Sequence, residues 1–212
     1  LGVDRAGLVG DDGETHHGVF DVAYLDSVPN MTVLAPASFA ELEVMLERAL
    51  FQLSGPVAVR YPRGGEGKYV GTGGEGPAAI LRWGDSITLS GYGREINDIL
   101  EATDLLAERG IQAEVVKLNQ LTPLVPDLIE LSVRKTGVLL VAEEQSAQGS
   151  VGQRLAARLE QVGLSANIVL VNCGDGFISH GSSSLLKRDL YLDGPGLAQK
   201  ALEVLGHGQT EA

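Results

Sequence analysis

The stretch SITLSGYGREINDILEATDLLAERGIQAEVVKL, residues 86–118, decides the fold. It reads as a strand over 86–90, a helix over 96–109 and a second strand over 113–118. The same alternation continues toward the C-terminus. It predicts a helix over 126–134, a strand over 137–142, a helix over 149–161 and a strand over 166–171, with helices over 182–187 and 196–205 closing the chain. Strands that alternate with helices, some as uniformly apolar as Val138-Leu139-Leu140-Val141, point to an α/β fold. Its parallel sheet would be covered by helices on both faces, with right-handed crossovers.

Toward the N-terminus the regularity stops. Residues 64–76 hold seven glycines and almost no apolar side chain, which reads as a linker or domain boundary. Ahead of it, β-prone runs over 31–35 and 57–61 read as strands, the second running into Pro62-Arg63-Gly64. Between them, Ser38 with Glu41 three residues on is a capping-box pattern. Leu42, Met45, Leu46, Ala49 and Leu50 recur at helical spacing behind it, so a helix is expected from Ser38 to about residue 53. Residues 18–25 read as a short helix or turn, and residues 1–17 as a loop rich in Gly and Asp.

Composition narrows the function classes. The 212 residues are 44% hydrophobic and 21% charged, an ordinary globular mix. With 16 Lys and Arg against 28 Asp and Glu, the net charge is −12, the wrong sign for a duplex-DNA or anionic-membrane partner. A single cysteine, Cys173, excludes an internal disulfide and fits a reducing, cytoplasmic compartment. The apolar runs, such as 138–142, are far too short to span a bilayer, and no basic-then-apolar leader opens the chain.

Five places carry candidate chemistry. Gly91-Tyr92-Gly93 sits at a strand-to-helix turn like the start of a dinucleotide fingerprint. Ile96 stands where the third glycine belongs, and the next strand ends Lys117-Leu118-Asn119 without the ribose-binding acid, so a tight structural turn is the better reading. Gly174-Asp175-Gly176 looks like the first half of a diphosphate-and-Mg²⁺ motif, but no asparagine follows in the window 199–203. His16 and His17 are adjacent and lack a further ligand at metal spacing, so His16 reads either as a proton carrier beside Asp12 or as an exposed loop histidine. Arg60 and Arg63 flank a strand end, where ligand crevices of parallel sheets lie, and Arg5 in the first loop can join them. Arginines there suit a phosphate or carboxylate, or a surface ion pair. Glu143 and Glu144 end another strand; being adjacent they should point in different directions, which favours a structural or interface role.

The run VDRAGLVGDDGETHHGVFDVAYLDSVPNMTVLAPAS, residues 3–38, followed by GPVAVRYPRG, residues 55–64, resembles the 1-deoxy-D-xylulose-5-phosphate synthase family of the transketolase superfamily. VAEEQSAQGSVGQRLA, residues 141–156, and GFISHGS, residues 176–182, extend the resemblance through the second half. It implies a partial pyrimidine-binding-type domain with a Gly-rich linker over 1–75, and over 76–212 a transketolase C-terminal-type parallel or mixed sheet with helices on both faces.

The resemblance also implies a thiamine-diphosphate- and Mg²⁺-dependent condensation of pyruvate with glyceraldehyde 3-phosphate, with loss of carbon dioxide, serving isoprenoid-precursor and thiamine synthesis in a homodimer. His16 and Asp12 match the family's active-site histidine and aspartate, and Arg5 and Arg63 the arginines that hold the substrate phosphate. The diphosphate motif and the cofactor-activating glutamate are expected ahead of Leu1, so that residues 1–212 alone would be inactive and would supply neither a confident cofactor contact nor a metal ligand. Two rivals stand beside this reading. One is another superfamily enzyme, a transketolase or a 2-oxoacid dehydrogenase E1 β-type subunit; the other is a non-catalytic assembly module.

Overall fold

A computed structural model describes residues 1–71 and 75–206. Their strands are β1 (Gly2–Val3), β2 (Thr32–Leu34), β3 (Val57–Arg60), β4 (Ala78–Arg82), β5 (Ile87–Tyr92), β6 (Ala113–Leu118), β7 (Gln120–Thr122), β8 (Val138–Ala142) and β9 (Asn167–Val171). The helices are α1 (Asp21–Asp26), α2 (Phe39–Phe51), α3 (Ile96–Ala107), α4 (Asp127–Thr136), α5 (Val151–Gln161), α6 (Ser183–Asp189) and α7 (Gly194–Val204).

The larger sheet has the order β4-β6-β5-β8-β9. Strands β6, β5, β8 and β9 run parallel, in registers such as Ser90 beside Val116 on one side and Val141 on the other. Alternate side chains leave opposite faces, as a period of two requires. Ile87, Leu89, Val115 and Leu140 meet α3 and α7 through Ile96, Ile99, Leu106, Leu197 and Ala201. Val116, Leu139 and Val141 meet α4 and α5 through Ile129, Val133, Val151 and Leu155. Both faces are thus covered, as the apolar strands predict. The sheet is mixed rather than wholly parallel because β4 adds an antiparallel edge. That strand is half-buried and follows directly on the glycine-rich segment, so its sequence carries no alternation to read.

The smaller sheet has the order β1-β3-β2-β7. Its first three strands are parallel, while β7 comes from the second half of the chain and pairs antiparallel with β2. Helix α2 is capped as expected: Ser38 Oγ accepts from Glu41 N at 3.1 Å, and Glu41 Oε2 accepts from Ala37 N at 2.8 Å. Its inward Met45 packs on Leu34, Val57 and Val59.

The glycine-rich segment lies across α2 and α3 as a strap. Tyr69 donates from its hydroxyl to Glu41 at 2.8 Å and from its backbone to Asn97 at 2.9 Å. Glu66 accepts from Phe39 N at 2.7 Å, and fully buried Lys117 pairs with Glu41 at 3.0 Å. Residues 72–74 of the proposed linker, and 207–212 at the end of the proposed second domain, lie outside the described residues. The first loop is also part of the larger core, since Leu8, Val19 and Ala37 pack with the α3 and α7 layer.

Candidate functional site

The loop over residues 4–18 is fixed by its backbone. Gly7 and Gly18 exchange hydrogen bonds at 2.8 and 2.9 Å, and Ala6 N donates to Tyr61 O at 3.0 Å. Leu8 N donates to Glu144 Oε2 at 2.6 Å, and Val9 N donates to His17 Nδ1 at 3.1 Å. Two backbone positions allow this close seating. Gly7 sits at φ +82°, where any Cβ would collide with the Glu144 carboxylate. Arg5 adopts φ +56°, a left-handed conformation that costs a non-glycine residue roughly 1 kcal/mol and tends to gather at functional sites.

On this scaffold Arg5, Asp12 and Arg63 converge. Arg63 forms an ion pair with Asp12 Oδ1, and Arg5 Nε approaches Asp12 Oδ2 at 3.5 Å. Arg5 also donates to Asp4 at 2.9 Å, and the two arginine side chains are 44% and 56% exposed, so both guanidinium groups keep a face toward solvent. The hydrogen bond from Arg63 is the main reason that the Asp12 carboxyl titrates below its ordinary range. His16 is exposed and contacts Thr15 Oγ1 at 3.1 Å. The structure therefore groups three of the four expected residues on one carboxylate, with His16 on the same loop but not bonded to Asp12. Its neighbour His17 is the buried one: its Nδ1 accepts from Val9, so the proton sits on Nε2.

Arg60 is not a ligand for anything from solvent. Its guanidinium donates to both Asp21 oxygens, at 2.7 and 3.1 Å, and lies 5.4 Å from the centre of the Tyr92 ring. Glu143 and Glu144 do point apart. Glu143 accepts from the Tyr92 hydroxyl at 2.7 Å and from Val151 N and Gly152 N at the start of α5. Glu144 faces the loop, Arg94 and Lys187. Burial by itself would raise the Glu144 carboxyl, but Lys187, Arg94 and the Leu8 amide hold it down at about 2. Gly91 and Gly93 serve the turn into α3, Gly91 lying directly against Ile99 and Ala142. Arg94 and Lys187 belong to no motif in the sequence; the one signal for Arg94 is a basic residue two positions beyond a parallel strand's carboxyl end.

The cofactor named by the resemblance has no cradle here. Asp175 of the Gly174-Asp175-Gly176 turn is exposed, and among the described residues no three His, Cys, Asp or Glu side chains gather as metal ligands. In the loop, His17 Nε2 is a buried donor with no partner, which is too little to hold a diphosphate.

A small, mostly parallel sheet closed by one antiparallel strand and joined to a doubly covered mixed sheet, with an arginine–carboxylate cluster on the crest, defines a transketolase-type architecture. The family model described as the transketolase C-terminal domain matches residues 76–196, and that of the transketolase pyrimidine-binding domain matches residues 1–65. The chain belongs to the transketolase family.

Among curated proteins it is similar to the 1-deoxy-D-xylulose-5-phosphate synthase of Thermomicrobium roseum, at 40% identity over 99% of this chain and 34% of that protein. It is similar also to those of Heliobacterium modesticaldum, 37% identical over 99% of this chain and 33% of that protein, and Chlorobaculum tepidum, 39% identical over 95% and 32%. The chain thus spans about a third of the length of these relatives. A solved structure described as a split gene transketolase, an inactive β4 tetramer, superposes with a TM-score of 0.83 at 25% identity, over 98% of this chain and 66% of its own.

Proposed function

We propose that this chain forms the acceptor-phosphate side of the active site of a 1-deoxy-D-xylulose-5-phosphate synthase, a thiamine-diphosphate-dependent transferase that condenses pyruvate with glyceraldehyde 3-phosphate. One observation carries the reading: two half-exposed guanidinium groups, Arg5 and Arg63, converge on Asp12 at the edge of the parallel strands. Arginine forks match a phosphate's oxygens and hold it in one orientation. Asp12 keeps both forks in place before substrate arrives, and the phosphate then shares them. Anchoring the phosphate brings the aldehyde carbon to a fixed place and converts encounter into orientation. His16, exposed on the same loop, is the residue to carry a proton to or from the new alcohol oxygen.

In this proposal residues 1–75 are the closing part of a pyrimidine-binding-type domain with its glycine-rich segment, and residues 76–212 a C-terminal-type domain. Thiamine diphosphate and Mg²⁺ are held by parts of the complete protein other than these residues, and the complete protein is a cytoplasmic homodimer. The acidic composition and the lone cysteine support that compartment. Among the described residues no helix is long and apolar enough to cross a membrane.

Steady-state kinetics on the complete protein test the reading. Arg5→Ala and Arg63→Ala should each raise the KM for glyceraldehyde 3-phosphate about 10- to 100-fold, the worth of a charge-assisted hydrogen bond, and leave the KM for pyruvate within about twofold. His16→Ala should lower kcat. Unchanged constants in all three variants would leave the assembly-module reading in possession, and turnover with a ketose phosphate donor in place of pyruvate would favour a transketolase.

A further inference from the structure

Arg94 and Glu144 stand at the carboxyl ends of neighbouring parallel strands, β5 and β8, where Gly91 is in register with Ala142. Arg94 Nε donates to Glu144 Oε1 at 3.0 Å. The same guanidinium reaches outward in two further directions: Nη2 donates to Leu8 O at 3.0 Å, and Nη1 lies 3.5 Å from Arg63 O. Glu144 in turn accepts from Leu8 N at 2.6 Å and from Lys187 Nζ at 2.9 Å. Leu8 therefore has its amide on one member of the pair and its carbonyl on the other. Arg63, the other phosphate-side segment, is held through its carbonyl by the first member. Glu144 is 5% exposed and Arg94 27%, so the pair sits beneath the crest with one edge reaching the surface. Lys187 also contacts Glu95 at 2.9 Å and Asp98 at 2.5 Å, which keeps that lysine compensated if Glu144 loses its charge.

We propose that Arg94 and Glu144 are positioning residues: together they form a clamp, built on the larger sheet, that sets the spacing between the loop bearing Arg5 and the segment bearing Arg63, and so sets the selectivity for a phosphorylated acceptor. The inference rests on the proposed function and deepens it. Arg5 and Arg63 come from separate segments joined at their bases by backbone bonds, Ala6 N to Tyr61 O at 3.0 Å and Tyr61 N to Val3 O at 2.9 Å; beyond those bonds the two side chains are linked by an exposed ion-pair network through Asp12, worth little by itself. Two forks bind one phosphate well only when their separation is fixed, and this pair is the side-chain support that reaches both segments from the larger sheet. A guanidinium suits the task because its rigid planar donors spread a carboxylate and two carbonyls at fixed, divergent directions, whereas an ammonium gathers its partners around a single point.

The test uses the complete protein with pyruvate and three acceptor conditions: glyceraldehyde 3-phosphate, unphosphorylated glyceraldehyde, and none. Arg94→Ala and Glu144→Gln should each raise the KM for glyceraldehyde 3-phosphate about tenfold, roughly the loss of one positioned charge-assisted hydrogen bond. The double variant should be no worse than the weaker-binding single variant, because the two residues act as a unit. The KM for pyruvate and the rate with glyceraldehyde should stay within about twofold of the parent. Arg94→Lys should behave as Arg94→Ala. Multiplying effects in the double variant, a wild-type KM in Glu144→Gln, full rescue by lysine, or equal losses with all substrates would each overturn the clamp. If Glu144→Gln does not fold, the Arg94→Ala and Arg94→Lys pair decides by the same criteria. A parent enzyme indifferent to the acceptor's phosphate overturns the proposed function itself, and that result is read before any variant is made.

Discussion

Arg60 donates to both carboxylate oxygens of Asp21, at 2.7 and 3.1 Å, with neither side chain more than 5% exposed. Arg63, just beyond the same strand, has a carboxylate partner of its own in Asp12 but stays 56% exposed. Two arginines of one strand end thus have opposite duties, one holding the fold and the other open to a ligand. Removing a partner from a buried pair strands a charge, whereas an exposed pair is screened by water. Asp21→Ala should therefore destabilise the chain by about 3–5 kcal/mol and Arg63→Ala far less, measured by urea unfolding.

Gly7 tests the seating of the loop from the backbone side. At φ +82°, with the Glu144 carboxylate where a Cβ would stand, alanine meets both strain and collision. Gly7→Ala should cost about 2–4 kcal/mol in the same unfolding assay, well above the effect of Gly13→Ala, whose Cβ would meet nothing within 4 Å although its φ is +90°.

The Glu144 carboxyl is held at about 2 against an ordinary 4.5, so it gives the fold a defined acid dependence. A carboxyl depressed in the folded state contributes stability that is present above its unfolded pKa and lost as pH falls through its folded pKa. The parent chain should lose stability relative to Glu144→Gln between about pH 4.5 and pH 2, by an amount on the order of 3 kcal/mol. Denaturant midpoints of the two proteins, compared across that range, check the sign: a difference that stays constant with pH contradicts it.

Cys173 is 5% exposed, and burial, reinforced by Glu144, Glu95 and Glu143, pushes its thiol well above the ordinary value. The thiolate is the reactive form. A colorimetric disulfide reagent at pH 8 should leave the folded chain unmodified and titrate one thiol after denaturation. Rapid reaction under native conditions would contradict the burial of β9's exit.

Much of the fold was legible because it is written in local patterns. The strand over 113–118 falls where β6 lies, and the Ser38–Glu41 cap forms as the sequence suggests, since period and capping depend on neighbours in the chain. β4 and β7 were not legible. Each is short or half-buried, and each earns its strand conformation from an antiparallel partner elsewhere, β6 for one and β2 for the other. In the candidate site, the residue types at the strand end and in the histidine loop were visible as chemistry. Their pairing was not: Asp12 turned to Arg63 rather than to His16.

The sequence by itself determined an acidic α/β chain with a glycine-rich break and a set of arginines, carboxylates and histidines concentrated ahead of that break. Only the tertiary structure decided which arginine is buried and which is open, and that Glu144 meets the amide of Leu8, 136 residues away in the chain. The reason is the range of the forces involved. Hydrophobic period and capping act over a few residues, so they survive in a linear reading. Burial and charge pairing depend on which surfaces the folded chain brings together, and a side chain's partner is set by that packing rather than by its neighbours in sequence.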